Sequence, residues 1–234
     1  DNHGEAQTYI YRGGLEWFAT DRLTFLAKAE YSDSRVDGPT GQNRSYFDRD
    51  TFDFSINNPG FGESETTFAS LKTDYDVDFG NGVITNILGY RKFDSATSGD
   101  IDATPFTLFH SGTEFLQEQI SDELRYAGTF GNVDLTTGLY YFNQTLDYTE
   151  NRNLPSTRPA PLPATIPWIF YGGGSQDHTV YGAFANVDYS ITPDLIATVG
   201  LRYSKEEKDV DITYIRPRAE CSVVDGTCPT TGNN

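Results

Sequence analysis

From residue 195 onward the chain alternates. Leu195, Ala197, Val199, Leu201 and Tyr203 form one set, and Ile196, Thr198, Gly200, Arg202 and Ser204 form the other. Residues 23–32 repeat the pattern, with Leu23, Phe25, Ala27, Ala29 and Tyr31 against Thr24, Leu26, Lys28, Glu30 and Ser32. In 180–189 the sets are Tyr181, Ala183, Ala185, Val187 and Tyr189 against Val180, Gly182, Phe184, Asn186 and Asp188. A period of two puts each set on one face of a sheet. The pattern predicts eight strands, over 8–19, 23–33, 66–77, 83–94, 116–130, 133–150, 178–189 and 195–212. Short polar turns join them in pairs, giving hairpins at 8–33, 66–94, 116–150 and 178–212.

Between the hairpins lie long stretches, 34–65, 95–115 and 151–177, and a tail follows from 213. Structureless loops longer than about 12–15 residues are uncommon in compact soluble domains. Short turns at one end and long loops at the other are normal in outer-membrane barrels. Tyr31, Tyr75, Tyr90, Tyr141, Tyr189 and Tyr203 fall where an apolar band would end, as an interfacial girdle requires. The expected fold is therefore all-β: an antiparallel transmembrane β-barrel segment of about eight strands.

Composition sharpens this. Aromatic residues make up 14% and Met is absent, yet the mean hydropathy is −0.51. Rings and small polar residues without long aliphatic runs favour strands. No apolar stretch is long enough for a membrane-spanning helix, and DNHGEAQ at the start lacks the pattern of a signal peptide. Thirty-four acidic against 17 basic residues give a net charge of −17, which argues against a nucleic-acid partner. Asp48, Asp50, Asp53, Glu63, Glu65, Asp74 and Asp76 fall on loops and polar faces, with Arg49 and Lys72 as partial partners; a wet interior and exposed loops tolerate such charge.

Three hairpin segments resemble the barrels of TonB-dependent outer-membrane receptors. ISDELRYAGTFGNVDLTTGLYYFNQ (120–144) carries an S-x-E-L-R core, a G-N turn and a G-x-Y-Y strand. ITNILGYRKFD (84–94) resembles the strand that precedes it, and VYGAFANVDYSITPDLIATVGLRYSKEEKDV (180–210) resembles a later hairpin. The resemblance implies an interior part of a barrel of about 22 strands, lodged in the outer membrane of a Gram-negative bacterium with its loops extracellular. It also implies uptake of a scarce nutrient: a ferric siderophore, cobalamin, haem or an oligosaccharide. Its partners would be outer-membrane lipid, the ligand, and a TonB-type energy-transducing protein acting through a plug domain absent from this sequence. The final CPTTGNN lacks the terminal aromatic residue of the family. Two rivals stand beside this reading: a secreted or surface β-protein (or cleaved barrel fragment) that self-associates through strand edges, and a complete small eight-stranded barrel.

Catalysis finds no support. His3, His110 and His178 show no metal-like spacing, and no nucleophile elbow, P-loop or dinucleotide fingerprint occurs. The pairs Asp100/Asp102 and Asp209/Asp211 mimic carboxylate dyads, but parity along the chain accounts for them. Neither a cofactor nor a metal is expected. Glu123 and Arg125 share a face and are placed to form an inward structural ion pair. Cys221 and Cys228 bracket an Asp-Gly turn and are expected to form a disulfide that staples a loop. Ligand contacts are expected from Tyr46, Phe47, Arg49, Phe106, Phe109, His110, Trp168 and Tyr171, which combine rings with polar groups in the long loops. Packing of the loops on themselves is the competing role for each.

Overall fold

A computed structural model describes residues 4–156 and 166–215, with side chains over 4–154 and 171–215. Eight strands follow in order: β1 (Ala6–Thr20), β2 (Leu23–Asp37), β3 (Phe61–Val77), β4 (Gly82–Asp100), β5 (His110–Phe130), β6 (Val133–Ser156), β7 (Ile166–Thr192) and β8 (Leu195–Ile215). Each pairs antiparallel with the next, forming one sheet in the order β1 to β8. The sheet does not close. Among the described residues, β1 and β8 each have a single neighbour.

All eight predicted strands are present, and their ends at the short turns agree closely. At the other end they run on. Strand β7 begins at Ile166 where alternation predicts 178, and β5 begins at His110 where it predicts 116. The loops shrink to 38–60 and 101–109, and β6 and β7 reach to Ser156 and from Ile166. Cys221 and Cys228 lie outside the described residues.

Register resolves the two faces. Tyr203 stands opposite Ala183, then Leu139, Leu124, Asn86, Thr73, Phe25 and Trp17 across successive strands. This banded face carries two belts of rings. Tyr11, Tyr31, Tyr90, Tyr141, Tyr181 and Tyr203 form the belt nearer the long loops; Trp17, Phe25, Tyr75, Tyr126, Phe130 and Tyr189 form the one nearer the turns. All six tyrosines predicted as a girdle lie here. From Tyr181 to Tyr189 is eight residues, about 26 Å along a strand, which a tilted strand reduces to about the height of a hydrocarbon band.

The belts reveal a tilt. The register row through Tyr31 reaches β8 at Asp209, whereas the β8 belt residue is Tyr203, so the belt steps down by 209 − 203 = 6 residues from β2 to β8. A stagger of this kind is what inclines strands to a barrel axis. Leu15, Leu139, Val199 and Leu201 between the belts are all exposed. Aromatic pairs tie neighbouring strands within the belts: Tyr11–Tyr31 at 6.4 Å, Trp17–Phe25 at 5.4 Å and Tyr141–Tyr181 at 5.4 Å.

The opposite face is polar. Lys72 Nζ reaches Asp74 at 2.6 Å, Thr85 donates to the same carboxylate at 2.7 Å, and Arg125 meets Glu123 at 3.6 Å. A single sheet has no interlayer core; Thr85 is buried on this face, and most of the other buried residues cluster at the loop end.

Candidate functional site: a stitched loop end above a polar wall

Gly38, Gly99, Asp100, Ala103, Thr104 and Gly112 are buried together where the loops 38–60 and 101–109 meet. Asp100 receives the amide of Ala103 at 2.9 Å on one oxygen and that of Asn57 at 3.0 Å on the other. Asp102 receives the amides of Thr104 (3.0 Å), Leu108 (3.1 Å) and Phe109 (2.6 Å), and the hydroxyl of Thr104. One carboxylate therefore closes the whole 101–109 loop. Burial works against its charge, but the Thr104 hydroxyl and the three amides prevail and hold the Asp102 carboxyl below the usual carboxylate range.

Asparagines join the two loops. Asn43 Nδ2 donates to the Asp102 carbonyl at 2.9 Å. The Asn57 amide satisfies its neighbours when its nitrogen faces Asp100 Oδ2 (3.1 Å) and His110 Nε2 (2.7 Å), and its oxygen then accepts from the Thr107 hydroxyl and amide. In that arrangement His110 Nε2 accepts from the Asn57 amide. Asp100, Asp102 and His110 bring ligand atoms within 4.8 Å of one another. Backbone amides already donate to all four carboxylate oxygens, so the cluster reads as a loop clasp.

The expected ligand residues divide along these lines. Phe109 and His110 belong to the clasp through the Phe109 amide and the His110 ring. Tyr46 and Phe47 follow a turn in which both amides donate to the Asn43 carbonyl, at 3.0 and 3.1 Å. Tyr46 and Phe106 are exposed. Arg49 is exposed and, among the described residues, has no carboxylate within ion-pair distance. Tyr171 lies on β7 opposite Asn151 and Ile215. The backbone of Trp168 pairs with Leu154, and its side chain lies outside the described set. Clasp and turn thus bring 43–57 and 100–110 to one place, apart from Tyr171.

Below the loops, the polar face presents a wall that alternation alone did not single out. Arg91 lies over the Phe93 ring at 5.5 Å. Phe93 meets Phe115 at 5.8 Å, and Phe115 meets Tyr148 at 6.5 Å, both edge-on. Gln117 donates to Gln144 at 2.7 Å. On β7 and β8, His178 approaches Glu206 at 2.8 Å, and Lys208 approaches the same oxygen at 2.7 Å. Register places these residues on the face of Glu123 and Arg125, but a polar face imposes no composition that marks one position above another.

The family described as TonB dependent receptor-like, beta-barrel, matches residues 6–221. The chain belongs to the TonB-dependent receptor family. Among solved structures, the ferric yersiniabactin uptake receptor FyuA from Yersinia pestis is similar with a TM-score of 0.71 and 16% identity, over 92% of this chain and 32% of that one. The ferric citrate transporter FecA, in its unliganded form, is similar with a TM-score of 0.61 and 15% identity, again over 92% and 32%. These likenesses establish the fold. The chain spans about a third of the length of either receptor. No curated protein matches it. Within the TonB-dependent receptor family, the open sheet described above is part of a barrel.

Proposed function

We propose that this chain is a stretch of barrel wall in an outer-membrane receptor that takes up a scarce nutrient, an iron chelate in the first instance, by an energy-dependent route. The observation that carries the reading is the banded face: an apolar zone of exposed side chains between two ring belts, staggered as tilted barrel strands require. Family membership supports it, as do the titles of the two similar receptors, which concern ferric yersiniabactin and ferric citrate. The edges of β1 and β8 would be paired by further strands, because hydrocarbon leaves no partner for bare backbone groups.

On this reading lipid covers the banded face and the stitched loops face the cell exterior. A TonB-type partner acts through a plug domain outside these residues. Tyr46, Phe47, Arg49, Phe106, Phe109, His110, Trp168 and Tyr171 are the loop-end residues offered to the ligand, with the exposed Tyr46, Arg49 and Phe106 the most available. No catalytic step is assigned.

The test uses the intact protein in its own membrane. It should migrate anomalously on a gel until boiled in detergent, and its deletion should abolish growth on chelated iron. Dissipating the proton gradient should stop uptake without stopping surface binding. A polypeptide that extracts without detergent and shows no heat-dependent migration would overturn the reading.

A further inference from the structure

Asn57 stands between an acid, an imidazole and a loop. Its backbone amide is already fixed, donating to Asp100 Oδ2 at 3.0 Å. One end of its side-chain amide lies 3.1 Å from Asp100 Oδ2 and 2.7 Å from His110 Nε2. The other end lies 2.8 Å from the Thr107 hydroxyl and 3.1 Å from the Thr107 backbone amide. A carboxamide has one donor end and one acceptor end, so the same two positions can be filled in two ways. The choice is made at His110 Nε2, which accepts a hydrogen bond when bare and donates one when protonated.

With Nε2 bare, the Asn57 nitrogen faces His110 and Asp100, and its oxygen accepts from both Thr107 donors. The imidazole's proton is then on Nδ1, and a second proton goes to Nε2. Once there, Nε2 donates to the Asn57 oxygen at 2.7 Å, and the Asn57 nitrogen donates to the Thr107 hydroxyl at 2.8 Å. Two contacts are lost in the exchange. The Thr107 amide faces a donor instead of an acceptor, and the Asn57 oxygen lies 3.1 Å from Asp100 Oδ2. The imidazolium, 3.7 Å from that carboxylate oxygen, offsets the second loss but not the first.

The setting is closed enough for one proton to matter. The Asp100 side chain is fully buried and that of His110 is 17% exposed. Across the ladder His110 faces Asp100 on β4 and Asn153 on β6. Asp100 and Asp102 are the charged groups brought to the ring among the described residues, and neither pairs there with a Lys or Arg.

We infer that Asn57 is a proton-driven latch: a second proton on His110 turns its amide over and releases the Thr107 amide, loosening the segment that carries Phe106. The latch belongs to the loops themselves, and only its bearing on a ligand at Phe106 rests on the receptor reading. Histidine is the side chain that changes charge between about pH 5 and 8, so the latch works above the range in which carboxylates titrate.

Residue-resolved hydrogen exchange on the full-length protein in detergent, corrected for the intrinsic pH dependence of exchange, tests this. Isotope-labelled histidine is followed by NMR in the same samples. From about pH 8 to about pH 5 the protection of the Thr107 amide should fall about fivefold or more, in step with the His110 Nε2 resonance. Leu108 and Phe109, whose amides are held by Asp102, should keep their protection through this window. In His110→Gln the Thr107 step should vanish. A flat Thr107 profile while His110 titrates would overturn the inference. So would a step that survives His110→Gln, or a His110 ring that takes no proton across the window. Equal loss at Thr107 and Leu108 in the wild type would also overturn it, since the whole loop would then be opening; this comparison stands even where His110→Gln fails to fold. Heat-dependent migration and energised uptake do not depend on these outcomes, so the latch and the receptor reading fail separately.

Discussion

The two ends of the sheet are closed by different means. At the turn end, short connections reverse the chain, and side chains only brace them, as where the Tyr126 hydroxyl donates to the Phe79 carbonyl at 2.7 Å. Arg22 reaches across to Asp78 at 2.8 Å, and this hydrogen-bonded pair holds the exposed Asp78 carboxyl below its usual range. At the loop end, Asp100, Asp102, Asn43 and Asn57 lock two long segments together by their side chains. Turn geometry is set by local backbone preference, whereas the loop end depends on two carboxylates, buried Asp100 and half-buried Asp102, that accept backbone amides. The first is robust to chemistry and the second is not.

The largest expected effect lies between the ends, where the faces diverge. Val199→Arg places a cation in the middle of the banded face and should destabilise the folded receptor in lipid by about 3 kcal/mol. Thr198→Arg, one residue away on the polar face, should cost well under half of that. Urea unfolding in lipid vesicles distinguishes them, and equal costs would break the assignment of faces.

Next is the clasp. Asp102→Ala orphans three backbone amides and should cost the 101–109 loop about 2 kcal/mol of local stability. Hydrogen exchange at Leu108 and Phe109 should accelerate by about thirtyfold, with the turn at 131–132 unchanged. Acid should have the same effect. The folded carboxyl titrates below its unfolded value, so its contribution is complete above the ordinary carboxylate range and is lost as pH falls through the depressed folded value. Exchange at Leu108 should therefore rise below about pH 4, and this rise should be absent in Asp102→Asn.

The smallest effects compare two glycines of the same conformation. Gly131 at the turn end has φ +64 and open space where a methyl group would project, so Gly131→Ala should cost about 1 kcal/mol of backbone strain alone. Gly60 at the loop end has φ +65, and a methyl there would overlap the Ser98 carbonyl oxygen. Gly60→Ala should cost about twice as much or more. Thermal unfolding of the two variants ranks them, and a reversed order would contradict the picture of a tightly stitched loop end.

The same contrast explains what could be read from sequence. The turn ends of the strands were legible because alternation is kept right up to the belts. Beyond the belts both faces carry charge: Lys205, Glu206, Glu207 and Lys208 put it on either side of β8 while the ladder continues through Ile215. Backbone pairing needs no hydrophobic pattern, so β5 and β7 outrun their predicted starts. The girdle tyrosines and the Glu123–Arg125 pair followed from parity. The clasp did not, because nothing in parity tells Asp102 to fold its own loop around itself. Nor did the Arg91 patch, whose members are ordinary polar-face residues until register brings them side by side.

The central claim is that one face of this sheet meets lipid and the other does not. Single cysteines placed one at a time from 195 to 204, in a receptor whose Cys221 and Cys228 have been replaced, can be labelled in native outer membrane by a lipid-soluble or a water-soluble thiol reagent. The account predicts strict alternation, with 197, 199 and 201 reached from lipid and 198, 200 and 202 from water. Uniform labelling from water along the whole stretch would contradict it.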